Sequence, residues 1–219
     1  MTLTLFLSLA SLLFVGLAIV AWLACQHVRW FARFLALPPA PVLNGMTLLL
    51  IVIPFWLVSL ASLYVHGANP FPLLMLAGLL ACAVADVERE WLPDSYTVPL
   101  FFFSLYYSPL PAYIIQPVML MSAMVVVATL ITVVIRPSLA PLLPGRGDIM
   151  LWLVLSAWAG VAGSVILFMS LTAGALTMQL TARDHTPLGP WIAGCGALII
   201  PFTTDIQRLM DRFMFTLWH

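Results

Sequence analysis

PFPLLMLAGLLACAVADVEREWLPD, residues 70–94, decides how this chain is read. From Pro70 to Ala85 no residue carries a charge. A helix through that run covers about 24 Å, most of the roughly 30 Å hydrocarbon layer of a bilayer. Asp86 then closes the apolar run and opens a charged turn. A carboxylate at the rim of a hydrocarbon layer is costly to ionise and marks a functional position. A second stretch repeats the arrangement in reverse: in LPGRGDIMLWLVLSAWAG, residues 143–160, Asp148 stands just before an apolar run.

The rest of the chain fits a membrane setting. Of the 219 residues, 63% are hydrophobic and only 7% charged, and the mean hydropathy is +1.12. A water-soluble domain carries about 25% charged residues, so the composition specifies an integral membrane protein. Formal net charge is zero, which gives no electrostatic footprint for nucleic acid. Cys25, Cys82 and Cys195 are isolated in or beside apolar runs. They form no C-x-x-C pair and read as small buried side chains. The first run, LFLSLASLLFVGLAIVAWLAC at 5–25, lacks a basic leader and exceeds a signal-peptide core, so it reads as a retained helix.

Apolar stretches lie at 3–25, 45–65, 71–86, 96–108, 113–135, 149–180 and 188–203. The 149–180 stretch is too long for one upright crossing, and GVAGS at 160–164 supplies a turn that divides it. The expected fold class is therefore an all-α integral membrane protein, a polytopic bundle of about eight transmembrane helices, two of them short. Residues 1–219 form one membrane domain with a core at about 71–203 and an amphipathic tail at 204–219. All eight basic residues are arginine. Alternating crossings put Arg29, Arg33, Arg89, Arg136, Arg146 and Arg183 on one side, which the positive-inside rule makes cytoplasmic. Only Arg208 and Arg212 in the tail fall on the other side. The same count brings Asp86 and Asp148 to one membrane face.

Taken singly, Asp86 reads as a solvated helix terminus and Asp148 as an N-cap. Together at one depth they suggest an acid/base pair. Two close carboxylates cannot both ionise comfortably, so they share a proton, and such a pair can activate water while donating to a carbonyl oxygen.

Three stretches also resemble the type IV prepilin peptidases, membrane aspartic peptidases of the Gly-x-Gly-Asp type. These are ADVEREWLPDSYTVPL (85–100), LPGRGDIMLWL (143–153) and TPLGPWIAGCGALI (186–199), in that order along the chain. The resemblance implies that Asp86 and Asp148 are the catalytic aspartates and that Gly145 and Gly147 shape the loop before the second. It implies site-shaping roles for Pro93 and Asp94, with Asp94 capping a helix from 96, and places Thr97 and Pro99 at the start of that helix. Gly189, Pro190 and Gly196 would serve close helix packing. Most bacterial members carry a cysteine-bearing domain after the first helix. Here the corresponding segment, QHVRWFARFLALPPAPVLNG, has no cysteine. The chain thus resembles a short form, in which N-methyl transfer is doubtful.

The function expected on that resemblance is endoproteolysis. The short basic leader would be removed from a prepilin or pseudopilin precursor at the cytoplasmic face of the bacterial inner membrane. No cofactor and no metal are expected, and the partners are the precursor and membrane lipid, without nucleic acid. Two alternatives stand beside it: a transporter or channel relaying cations through the two acids, and an inactive membrane component of a secretion machine. Transporters place their acids nearer the midplane, which counts against the first. Glu88 and Glu90, flanking Arg89, read as a solvated charged turn, and the four histidines as polar loop residues.

Overall fold

The computed structural model describes residues 3–37, 42–67, 69–108, 145–160, 162–181 and 188–218. These form helices α1 (Leu3–Phe34), α2 (Gly45–His66), α3 (Pro70–Arg89), α4 (Asp94–Tyr107), α5 (Arg146–Ala159), α6 (Ala162–Thr181), α7 (Gly189–Ile199) and α8 (Thr203–Trp218). A 3₁₀ turn, Ile200–Phe202, joins the last two. No strand occurs among the described residues, and the molecule is an all-α membrane bundle. Helices α1, α2 and α3 are each long and apolar enough to cross a bilayer, while α5 and α6 are shorter apolar helices.

Seven of the eight expected crossing segments are helical here, and the eighth, 113–135, lies outside the described residues. The division of 149–180 falls where its glycines placed it. Gly160 closes α5 with φ 61° and ψ −134°, a conformation open almost only to glycine. The helices start and stop at readable signals. Asn44 caps α2 by accepting from the Thr47 amide at 2.8 Å, and Asn69 accepts from the Phe71 amide at 3.1 Å just ahead of Pro70.

One boundary departs from expectation. Helix α1 runs on through residues 26–34, which had read as loop. The reason is amphipathicity: Ala24, Val28 and Ala32 repeat every four residues and all are buried, so this polar-looking stretch packs one face on the bundle. His27, read as a loop residue, consequently lies within α1, where its Nδ1 is 2.8 Å from the Tyr96 hydroxyl of α4.

Helix α3 is the central element, packed by α1, α2, α4 and α7. Met75, Leu76, Leu79 and Leu80 on it are fully buried. In lipid, apolar burial does not itself drive helices together, so close contact through small residues matters. Gly196 of α7 shows this: a Cβ there would meet Leu155 of α5 at 2.6 Å. Bulky side chains such as Leu12, Leu50 and Phe102 project outward, as a lipid-facing surface requires.

Candidate active site

The ends of the elements collect the chemistry at one pole of the bundle. Helix α3 ends there, and α4, α5 and α7 begin there. A cavity of about 400 Å³ opens at this pole, and Asp86, Pro93, Asp94, Gly145, Gly147 and Asp148 all line it. Phe31 and Trp91 form an aromatic flank, their ring centroids 5.4 Å apart. These six residues, expected to be catalytic or site-shaping, thus line one hollow from two separate parts of the sequence.

Asp86 lies in the last turn of α3 and is only 4% exposed. Its Oδ2 accepts a hydrogen bond from the Gly189 amide at 3.1 Å. That donor sits at the first turn of α7, where free backbone N–H groups and the helix dipole favour a carboxylate. Glycine is needed there: a Cβ on Gly189 would stand 2.7 Å from the Asp86 oxygen. The close-packing role expected of Gly189 therefore includes a second one, direct support of the carboxylate.

Asp148 sits on the first turn of α5 and is half-buried. Gly145, not Asp148, is the N-cap, and the carboxylate reaches back to accept from the Gly145 amide at 3.0 Å. This is the reciprocal half of a capping box. Gly147 brings α5 against the link between α3 and α4, since a Cβ on it would meet Leu92 at 2.6 Å. Asp86 and Asp148 border the same cavity.

The link itself is bent by Glu90, which adopts a left-handed conformation (φ 52°, ψ 37°) and donates its amide to the Asp86 carbonyl at 2.6 Å. A residue other than glycine at such a helix end carries a steric cost of about 1 kcal/mol. Helix α4 then starts at Asp94 itself with Pro93 as N-cap, two residues earlier than expected. Asp94 is exposed in that first turn, where a negative charge suits the dipole.

The reading of Glu88 as part of a solvated turn is corrected. Its side chain is 2% exposed, with Oε1 on the Arg29 Nε at 2.6 Å and Oε2 accepting from the Leu43 amide at 3.1 Å. Glu88 clamps α1, α3 and the approach to α2 just behind the cavity. A carboxylate two residues from Asp86 on the buried side of α3 was the available signal, because a buried acid needs a partner and α1 offers arginine. Gly189 had no such signal, since a backbone donor leaves no mark in side-chain chemistry.

Fold and site together define a polytopic helical membrane protein with two carboxylates lining one hollow. Residues 73–179, a span containing both aspartates, match the model of the type IV leader peptidase family. A curated relative, the prepilin leader peptidase/N-methyltransferase of Neisseria gonorrhoeae, is 25% identical over 152 residues. That alignment takes in 65% of this chain and 52% of the relative, so the chain spans about half the relative's length. No solved structure matches it.

Proposed function

We propose that this chain is a membrane aspartic endopeptidase that removes the short basic leader from type IV prepilin or pseudopilin precursors. The observation carrying this reading is that Asp86 and Asp148, from two different helices, line one cavity. Paired carboxylates of this kind share one proton. The ionised member takes a proton from water, whose oxygen attacks the scissile carbonyl carbon. The protonated member donates to the carbonyl oxygen, giving a tetrahedral diol. Collapse of that diol breaks the C–N bond as the leaving nitrogen takes a proton from the pair. The Gly189 and Gly145 amides hold the two carboxylates in place for these transfers.

The arginine distribution supports a cytoplasmic setting for this pole in the bacterial inner membrane. Arg29, Arg33 and Arg89 all belong to helix ends at the cavity pole. Methyl transfer is left out of the proposal, because the 35–44 connection is too short to house a further domain. The test is co-expression with a prepilin and comparison of precursor and mature bands. Asp86→Asn and Asp148→Asn are each expected to stop processing while membrane insertion persists. Normal processing by both variants would refute the reading.

A further inference from the structure

A second hollow lies on the flank of the bundle, between α2 and α7, with a volume of about 480 Å³. Its walls are apolar: Leu50 and Pro54 come from α2, Pro190, Gly194 and Leu198 from α7, and Ala83 of α3 lies between them. Leu50 and Leu198 stand on the rim, 65% and 54% exposed, so the groove opens sideways toward the membrane interior and not toward water.

The groove starts beside the candidate active site. Helices α2 and α7 both start at the cavity pole: Leu43, just ahead of α2, is held by Glu88, and Gly189, which opens α7, is held by Asp86. The lining from Pro190 to Leu198 therefore descends about 12 Å along α7 from the level of the aspartates. Pro190 adjoins the amide donor of Asp86, and Ala83 stands one turn below Asp86 on α3. The floor is built for a close neighbour. A Cβ on Gly194 would meet nothing within 4 Å, so the backbone of α7 lies bare on the groove, the surface that helices in lipid use for tight packing. Pro54 lacks an amide hydrogen, so the Leu50 carbonyl on the same wall loses its usual donor four residues on.

We infer that this groove seats the apolar helix of the precursor and sets the scissile segment at its end level with Asp86. The inference rests on the peptidase reading above. A substrate anchored by its own apolar helix enters from the side, lies along α2 and α7, and needs to unwind only where its chain passes beyond Pro190 toward the carboxylates. A lipid acyl chain is the competing occupant. The start of the groove beside the amide donor of Asp86 and the bare backbone at Gly194 favour a helix.

The experiment uses the full chain in membranes with a prepilin as probe. A photo-crosslinking residue replaces Leu198 in the Asp148→Asn background, and a control replaces Leu12, 68% exposed on the outer face of α1. The precursor is expected to be captured from position 198, not from 12. Gly194→Phe, which the open space at that position accommodates, is expected to abolish that capture. In the otherwise native chain it should raise KM for the precursor at least roughly tenfold, the lower bound for a misfit in an apolar pocket. Capture of lipid alone at 198, equal capture at 12, or an unchanged KM for Gly194→Phe overturns the groove assignment. If the native chain still processes the precursor, the peptidase reading survives that result. A native chain that leaves the precursor uncut removes both.

Discussion

The two aspartates share a cavity but are held in different ways. Asp148 is positioned by its immediate neighbourhood: the donor to its carboxylate lies three residues away, in the same capping turn. The donor to Asp86 lies 103 residues away, on a helix that must first pack against α3. Burial follows the same division, with Asp86 almost sealed and Asp148 half-open. One carboxylate is thus an outcome of the whole bundle, while the other comes ready-made on its loop. The lesson is that damage far from the cavity should disturb Asp86 first.

The largest effect that can break this comparison is loss of either acid. Asp86→Asn and Asp148→Asn should each abolish leader removal, however differently the two carboxylates are supported. Next comes Gly189→Ala. Its new Cβ would stand 2.7 Å from the Asp86 oxygen and push the carboxylate aside. A displacement near 1 Å costs about a hundredfold in rate, to be read as the initial rate of precursor conversion in detergent micelles. Glu88→Gln should act on stability more than on chemistry. Breaking a buried ion pair costs about 3–5 kcal/mol, and partial exposure of Arg29 brings the expected loss nearer 2 kcal/mol. Thermal unfolding of the purified protein checks this, with a lowered Tm expected.

The smallest effect belongs to Gly145→Ala. Gly145 has φ −65°, and its Cβ would meet only the Asp148 oxygen, at 3.4 Å. The amide donor remains, so the rate should fall less than about threefold, well short of Gly189→Ala. If the two alanine variants lose activity equally, the distinction between local and long-range support fails.

What the amino-acid sequence disclosed follows the same line. The helix ends at Asp86, Gly160 and Asn69 rest on local chemistry, namely apolar length, a glycine-only backbone conformation and a side-chain cap, and each could be read from a few residues. Arginine placement put Asp86 and Asp148 on one face, while Pro93, Asp94, Gly145 and Gly147 were picked out by the resemblance to the type IV prepilin peptidases. Glu88 escaped because its partner Arg29 lies 59 positions away on a helix whose last turns resembled a polar loop. Attention to the four-residue spacing of Ala24, Val28 and Ala32 would have extended that helix. The donor role of Gly189 escaped for a deeper reason: the group at work is a main-chain N–H, which every residue but proline possesses. Only packing says which amide faces an acid.

The span between Asp86 and its donor has a consequence for biogenesis. A ribosome adding about 5–20 residues per second needs roughly 5–20 s to travel from the codon for Asp86 to the codon for Gly189. Through that interval the nascent chain carries its first acid into the membrane without the amide that will steady it. Completion of the site therefore waits on late synthesis.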